Sequence, residues 1–435
     1  MAQAPSFASL ARDFTRIGFL SFGGPAPQIA MLHDLAVEKR GWISDSAFLR
    51  ALNVCHLLPG PEAMQLATWI GWRLGGTRGG LITGGLFVLP GALVMLALSI
   101  LYVLAADLTL VEGAFFGVKA AVLVILLGAV IRLASRTVKT PAAFAIAGAA
   151  FIALSLGIAF PIVIAAAGLA GWLASCWMAA GHHEGADGAE PAGQTASLKS
   201  TALSLLVWAA IWLAPLALAA LILTPSHRLV EVAGFFSWLA LVSFGGAYAV
   251  LAWMAQAGVE QYGWLSAGEM ADGLGLAEST PGPLILVTQF TGFLASYRMP
   301  EPFGAIVSGI IGAALTLWAV FLPSFMAIFT LAPWMEKLNR ITALQSALAG
   351  ISAAVVGVIA SLGVWFAVQI LFADTGSAAF GPFRVVTADI TTIEPWIIAI
   401  AALCAVLAFA LKRGVMTLVA AGLAAGLALS LAGVI

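Results

Sequence analysis

The chain has 435 residues, of which 62% are hydrophobic and 9% charged, whereas roughly a quarter of an ordinary soluble domain is charged. This composition excludes a soluble protein and predicts an integral membrane protein that lies in a lipid bilayer. A net charge of −1 excludes a nucleic-acid partner. The three cysteines lie far apart in apolar segments without a CxxC pair, so neither a disulfide framework nor a metal site is predicted.

The predicted fold class is an all-α integral membrane protein, a polytopic helical bundle. Apolar runs of roughly 20 residues, the length that spans a bilayer as a helix, recur from Gly79 onwards. They are rich in Gly and Ala and lack the short alternating segments of a β-barrel. Arg12 and Arg16 precede a Gly-broken apolar stretch without a small-residue cleavage site, so no signal peptide is expected.

In chain order, an apolar stretch leads into Ser21-Phe22-Gly23-Gly24-Pro25, and a polar connector follows at residues 33–45. A short helix is predicted at residues 46–58 and a second from Glu62 to about Leu74. Full-length spans are predicted at about residues 80–105, 113–131, 141–158 and 161–178, and a lone span at about 201–223 follows a polar loop at 181–200.

The tripeptide Pro59-Gly60-Pro61, here the first break, recurs as Pro281-Gly282-Pro283, the second break. Two prolines and a glycine remove backbone donors and stop an otherwise apolar helix. Unpaired backbone at membrane depth is tolerated only where protein buries it or where it lines a water-filled cavity. Both breaks are therefore candidates for one ion pathway, although a break that merely kinks a packed helix is the alternative.

The second half of the chain superimposes on the first without a gap when residue numbers are shifted by the separation between Phe22 and Phe244. This shift is called the early offset. It places Phe22-Gly23-Gly24 on Phe244-Gly245-Gly246 and the first break on the second. An insertion near Pro300 makes the shift larger for the later spans, where Pro90 corresponds to Pro323. This larger shift, the separation between Pro90 and Pro323, is called the late offset. Such matching predicts a duplication, with a first repeat at residues 1–180, a loop and linking helix at 181–233 and a second repeat at 234–435.

The distribution of basic residues predicts that the two repeats are inserted upside down relative to each other. If each FGG segment and each broken helix returns to the side from which it entered, fifteen Lys and Arg residues are cytoplasmic and three are outside. The N-terminus is then cytoplasmic and the C-terminus outside. Fully crossing short helices, the arrangement also left open, would place Lys39 and Arg40 opposite Arg12 and Arg16.

In inverted repeats the two breaks approach the middle of the membrane from opposite faces, and helices restart there at Glu62 and Leu284. The free N–H groups and the positive dipole end of each helix favour an anion without many formal charges. Serine hydroxyls of the FGG segments are further donors, although a serine more commonly bonds its own helix. The predicted anion-binding residues are Ser21, Gly23, Gly24, Pro59, Gly60, Pro61, Gln65, Lys119, Ser243, Gly245, Gly246, Thr280, Pro281, Gly282 and Pro283.

Four ionisable residues of the predicted membrane segments are candidates for a role in transport: His56, Glu62, Lys119 and Glu278. A carboxylate beside an anion site repels the anion unless it is protonated, so His56, Glu62 and Glu278 are predicted to couple protons to transport. Glu62 is alternatively a favourable first-turn acid, and His56 a hydrogen-bonding core residue. Lys119 would neutralise the oxyanion, pair with Glu62 or Glu278, or serve as a structural ion-pair partner.

Several motifs together resemble those of the chromate ion transporter (CHR) family, ChrA type. They are Ser21-Phe22-Gly23-Gly24-Pro25, Gly41-Trp42, Leu58-Pro59-Gly60-Pro61 with Gln65, Ser243-Phe244-Gly245-Gly246 and Thr280-Pro281-Gly282-Pro283. The resemblance covers nearly the whole chain, in the long form with two fused homologous halves. It implies a bacterial inner-membrane carrier that exports chromate, an oxyanion similar to sulfate, using the chemiosmotic gradient. Ala247 and Glu278 depart from the family's pattern, in which a third glycine and a Gln-containing sequence are common.

The sequence therefore predicts a secondary active transporter of the cell membrane that moves a tetrahedral dianion by alternating access. The resemblance implies that the anion is chromate and that the protein is an antiporter coupled to protons. Sulfate or another oxyanion as substrate, an uncoupled channel and a homodimer stay open. No nucleotide-binding loop, catalytic triad, HExxH site or haem, flavin or iron–sulfur pattern occurs in the sequence, so no enzyme, cofactor or metal is predicted.

Overall fold

The computed structural model describes residues 5–105, 108–177, 197–243, 247–338, 341–380 and 383–435, which form an all-α bundle with a small β-hairpin. The helices of the first half are α1 (Phe7–Leu20), α2 (Pro25–His33), α3 (Asp45–Leu57), α4 (Glu62–Ala105), α5 (Thr109–Thr137), α6 (Pro141–Ser155) and α7 (Phe160–Trp177). The linking helix and those of the second half are α8 (Leu198–Ile222), α9 (Arg228–Leu241), α10 (Ala247–Gln256), α11 (Ala267–Ser279), α12 (Val287–Tyr297), α13 (Ala305–Leu331), α14 (Met335–Leu338), α15 (Thr342–Leu371), α16 (Pro395–Ala405) and α17 (Val415–Leu431).

Five helices in the described part of the chain are long and apolar enough to cross a membrane, as expected of a multi-pass membrane protein. They are Glu62–Ala105, Thr109–Thr137, Leu198–Ile222, Ala305–Trp334 and Thr342–Leu371. The first of these is two helices joined by a kink, because Gly75 and Gly76 leave helical geometry and Gly76 has φ 63°. The turn predicted after Leu74 is confirmed at this kink.

The bounds of α3 and α11 are equivalent at the early offset. Helices α3 and α11 each have thirteen residues and begin after a capping serine, Ser44 or Ser266, whose side chain accepts from the backbone N–H three residues further on. A π-helical turn and a glycine with positive φ precede each cap, with Gly41 at 58° and Gly263 at 59°. The two segments therefore share bounds, caps and backbone angles.

The two halves exchange helices, an arrangement that the sequence did not predict. Helix α5 of the first half packs against α16 and α17 of the second, and α15 of the second half packs against α6 and α7 of the first. A Cβ on Gly117 of α5 would overlap the carbonyl of Gly422, and a Cβ on Gly350 of α15 would overlap that of Ala167. Gly117 and Gly350 are equivalent at the late offset. Glycine at both seams therefore lets the helix backbones touch.

Helix α6, with fifteen residues, is shorter than the span predicted at 141–158, whereas α7, with eighteen residues, has the length of the span predicted at 161–178. Helices of this length rise roughly 22–27 Å, less than the ~30 Å of a hydrocarbon core. A hairpin of two such helices ends on the side where it began whether or not it crosses, so the predicted orientation of the halves does not depend on their length. The connector at 373–395 holds an unpredicted antiparallel hairpin of β1 (Thr375–Phe380) and β2 (Phe383–Ala388).

The larger hydrophobic core surrounds both breaks. Leu58 and Met64 are buried beside the first break, and Leu284 and Val287 are buried beside the second. The breaks therefore lie within protein, the setting in which interrupted helices are tolerated at membrane depth.

Candidate functional site

Left-handed glycines form both breaks. Between α3 and α4, Gly60 has φ 112°; between α11 and the 3₁₀ turn that precedes α12, Gly282 has φ 98°. A side chain is strained at such angles, so both positions favour glycine. The helix starts predicted at Glu62 and Leu284 are confirmed.

Each break contacts the FGG segment of the other half. The Gly60 N–H donates to the Ser243 carbonyl at 3.1 Å, and the Gly282 N–H donates to the Ser21 carbonyl at 2.9 Å. The Gly282 N–H also lies 3.1 Å from the Ser21 hydroxyl oxygen. The two backbone hydrogen bonds are equivalent at the early offset, so the breaks form a crossed pair in which each half completes the other.

The span that follows each broken helix also contacts the break of the other half. A Cβ on Gly60 would overlap the hydroxyl of Ser324 in α13, and a Cβ on Gly91 in α4 would overlap the carbonyl of Pro281. Gly91 and Ser324 are equivalent at the late offset. Each break is thus enclosed by an FGG segment and a span that both belong to the other half.

In the first FGG segment, Gly23 and Gly24 have φ of 84° and 85°, and Gly24 precedes the first residue of α2. This glycine pair turns the chain from α1 into α2. The corresponding glycines of the second segment, Gly245 and Gly246, lie outside the described residues.

Two glutamine amides hold carbonyl groups of the breaks. The Gln65 amide donates to the Pro59 carbonyl at 2.6 Å. The Gln28 amide donates to the Ser21 carbonyl at 3.2 Å and to the Gly282 carbonyl at 2.8 Å. Gln65 is one of the predicted site residues, whereas Gln28 was missed because a valine occupies its repeat position.

Three predicted site residues donate their hydroxyl hydrogen to their own helix. The pairs are Ser21 with the Gly18 carbonyl (3.0 Å), Ser243 with the Ala240 carbonyl (2.7 Å) and Thr280 with the Ala277 carbonyl (3.2 Å). A hydroxyl has a single hydrogen, and in these residues it is donated to a carbonyl of the residue's own helix, which is the alternative that was expected for the serines. The hydroxyl hydrogens of these three residues are therefore not available to an anion in this structure.

Ionisable side chains differ between the breaks. At the first break His56 is hydrogen-bonded to Glu62, and 47% of the His56 side chain and 19% of the Glu62 side chain are exposed. At the second break Glu278 is 5% exposed. The structure therefore brings two of the three predicted coupling residues together at a partly exposed position and buries the third.

Lys119 forms an ion pair with a carboxylate that was not predicted. Its Nζ lies 3.7 Å from Asp272 Oδ2 in α11, and the Tyr102 hydroxyl donates to the same oxygen at 2.9 Å. The sequence held a signal for Asp272, since it is an acid in the helix before the second break, at the repeat position of Arg50.

A cavity of about 720 Å³ lies away from the breaks, between the α6–α7 turn, the end of α10, α15 and the β-hairpin. Its lining includes Glu260, whose carboxylate accepts from the Trp365 indole at 2.8 Å. The predicted site residues lie elsewhere. Within the described ranges, no group of three or more His, Cys, Asp or Glu side chains is placed to hold a metal ion.

Sequence comparisons place the chain among known relatives. A family model described as "Chromate transporter" matches residues 8–172 and 230–427. A chromate transport protein of Pseudomonas aeruginosa is 32% identical over 81% of this chain and 79% of its own length. A chromate transport protein of Cupriavidus metallidurans is 28% identical over 94% of this chain and 95% of its own length. A probable chromate transport protein of Synechococcus elongatus is 27% identical, over 82% and 84% respectively.

No solved structure matches the chain. The two matched stretches contain both FGG segments and both breaks, and together they cover most of the sequence. The chain belongs to the chromate transporter family.

Proposed function

We propose that this chain carries chromate across the membrane as a secondary transporter that works by alternating access. The observation that supports it most is the crossed pair of breaks, in which Gly60 and Gly282 each donate to the other half. Displacement of one half relative to the other would change both contacts together. The substrate comes from the names of the relatives, which are chromate transport proteins.

The backbone of the breaks supplies the anion site in this proposal. Helices restart at Glu62 and Leu284, and the first N–H groups of a helix have no intrahelical acceptor and lie at its positive end. Chromate is a tetrahedral dianion whose oxygens accept such hydrogen bonds, and glycine lets backbone approach it closely. The predicted residues of the FGG segments, together with Gln65 and Lys119, complete the path.

The proposal places the two halves, residues 1–180 and 234–435, in opposite orientations, joined by residues 181–233. The equal bounds of α3 and α11 support the repeat, and the skew of basic residues to one side supports the inversion. The N-terminus is cytoplasmic, the C-terminus is outside, and the protein lies in the bacterial inner membrane.

The chemiosmotic gradient drives export in this proposal. The membrane potential draws a dianion outward, at about 2.3 kcal/mol per elementary charge per 100 mV. His56 and Glu62 at the exposed break and Glu278 at the buried break exchange protons with the site, because protonation of a carboxylate removes its repulsion of the anion.

Respiring inside-out membrane vesicles that contain the chain test the proposal, since their lumen is positive and acidic. Labelled chromate is expected to accumulate in the lumen, valinomycin with K⁺ to abolish the accumulation, and nigericin, which collapses the pH gradient alone, to change the rate. Absent accumulation would overturn chromate export, and a rate unchanged by nigericin would overturn proton coupling. Sulfate that displaces the label at lower concentration than chromate would assign sulfate as substrate, and flux that does not saturate would indicate the uncoupled channel.

A further inference from the structure

Three polar side chains meet where the first half packs against α11, the helix that precedes the second break. Lys119 of α5 and Tyr102 of α4 belong to the first half, and Asp272 of α11 belongs to the second. The Lys119 Nζ lies 3.7 Å from Asp272 Oδ2, and the Tyr102 hydroxyl donates to that oxygen at 2.9 Å. These residues, here the Asp272 cluster, link the two halves.

The carboxylate of Asp272 has little to stabilise its negative charge. Its side chain is 5% exposed, and Oδ1 has no hydrogen-bond partner in the described part of the chain. Removing a carboxylate from water is costly unless ion pairs and hydrogen bonds replace its hydration. Here one hydroxyl and one ammonium replace it, both at Oδ2, so Oδ1 is left to accept a proton.

Lys119 is the cation that faces Asp272 from the neighbouring helices. Glu269, on the same helix, is paired with Arg298. Of the other helices packed against α11, α15 and α17 carry no titratable side chain, α12 carries Tyr297, and α4 contributes the tyrosine of the cluster. The Lys119 side chain is 27% exposed, so the pair is not fully enclosed by the protein.

The Asp272 cluster has no counterpart at the first break. The repeat position of Asp272 at the early offset holds Arg50, and that of Lys119 at the late offset holds Ser352. A duplicated scaffold that keeps glycine and serine contacts in both copies thus carries this acid–base pair in one copy. A proton site used once in each transport cycle would have this distribution.

Helix α11 connects the cluster to the second break. Asp272 lies eight residues before Thr280, or roughly 12 Å along a helix. The ion pair between Lys119 and Asp272 is a contact between α11 of the second half and α5 of the first. Loss of the contact would therefore free the Lys119 ammonium and remove one of the contacts between α11 and α5.

We propose that Asp272 is a proton-accepting residue of the transport cycle, which binds Lys119 when ionised and releases the Lys119 ammonium to the oxyanion when protonated. The proton comes from water on the exposed side of Lys119, resides on Oδ1 and returns to water when Asp272 binds Lys119 again. Tyr102 is a positioning residue that holds Oδ2. The inference rests on the proposed transport function and assigns it a counter-charge and a proton site.

Two rates, measured with the purified full-length chain in proteoliposomes, test the inference. The first is chromate–chromate counterflow with the same pH on both sides. The second is chromate flux with the more acidic solution on the side that is loaded with chromate. Acid is expected to accelerate flux in the wild type. Asp272→Asn, which resembles the protonated acid, is expected to lose this acceleration while counterflow stays measurable. Asp272→Glu keeps a titratable group and is expected to retain the acceleration.

Asp389→Asn is the matched control, with both rates unchanged. Asp389 lies in an exposed turn outside the membrane, where hydrogen bonds from the side chain and backbone of Thr391 hold its pKa below the usual value. The carboxylate therefore stays ionised over the pH range of the assay.

Acceleration that persists in Asp272→Asn would overturn the inference and leave the ion pair with a structural role. A wild type without chromate counterflow would overturn the proposed function and the inference with it, so the two failures are distinguishable. If Asp272→Asn does not fold, the double variant with Lys119→Gln leaves no unpaired charge at the cluster and carries the same test. Its loss of acceleration would support the inference, and persistence would overturn it.

Discussion

The two breaks share a backbone and differ in their side chains and exposure. Gly60 and Gly282 have similar positive φ, each donates its N–H to a serine carbonyl of the other half, and a helix starts after each. At the first break, however, the pair of His56 and Glu62 is open, whereas Glu278 at the second break is buried.

This difference separates the features that the two halves share from those in which they differ. A backbone anion site needs the same turn and the same hydrogen bond in both copies, and these features are alike. Coupling needs one state in which an ionisable group meets water and another in which it does not. In this structure the His56–Glu62 pair is partly exposed and Glu278 is buried, so the two breaks differ in the exposure of their ionisable groups.

The largest effect is expected from removal of the shared feature. Gly60→Ala and Gly282→Ala should both abolish chromate transport, because a Cβ at these φ values costs about 1–3 kcal/mol of strain and Gly60 faces the Ser324 hydroxyl. Labelled chromate flux, normalised to the amount of inserted protein, measures the effect. Gly85→Ala in α4, where a Cβ meets nothing, is the control with normal transport. Full transport in either break variant would argue against a shared backbone site.

A smaller effect should expose the difference in charge. Glu278→Gln is expected to reduce the pH dependence of chromate transport, because the buried break then has no carboxylate to protonate. Glu62→Gln leaves His56 as a titratable group and should reduce it less. Transport rates over about pH 5–8, the range in which His titrates, compare the two with exposed Glu112→Gln as control. Unchanged pH dependence in Glu278→Gln would remove that residue from the mechanism.

A stability difference is expected where the crossings are unequal. The Gln28 amide binds the carbonyls of Ser21 and Gly282, whereas Val250 occupies the repeat position. Gln28→Leu leaves these acceptors without that donor and should lower the free energy of unfolding by about 1–3 kcal/mol. Thermal unfolding in detergent measures it, and exposed Gln261→Leu should stay within about 0.5 kcal/mol of the wild type. Equal stability of the two variants would show that the amide does not hold the crossing.

The smallest effect compares the two serines. The Gly282 N–H donates to both the carbonyl and the hydroxyl oxygen of Ser21, whereas the Gly60 N–H donates to the Ser243 carbonyl. Ser21→Ala is therefore expected to cost about 1 kcal/mol and Ser243→Ala less. Thermal unfolding of both variants checks the order, and a larger cost for Ser243→Ala would reverse the assignment of the stronger crossing.

The breaks, the helix starts at Glu62 and Leu284, and the turn at Gly75 were predictable because proline and glycine act on the backbone locally. The all-α membrane fold was predictable because a span is a property of length and composition. Both kinds of feature are encoded within a few consecutive turns of sequence.

Which helices pack against each other could not be predicted from local sequence. Helices α5 and α15 carry equivalent glycines, so nothing local decides that Gly117 meets α17 and Gly350 meets α7. Asp272 was missed for the same reason, since its hydrogen-bond partner Tyr102 is 170 residues away in the chain. The crossing of each break with the opposite FGG segment likewise depends on tertiary packing between halves.

Counterflow of labelled chromate with the purified wild-type chain in proteoliposomes is the decisive measurement for a carrier built on two crossed breaks. Counterflow requires one site that faces the two sides in turn and needs no net driving force. Unlabelled chromate inside should drive transient accumulation of labelled chromate from outside, and Gly282→Ala should remove that accumulation. Labelled chromate that merely equilibrates in the wild type, without a transient excess, would rule out alternating access at the breaks.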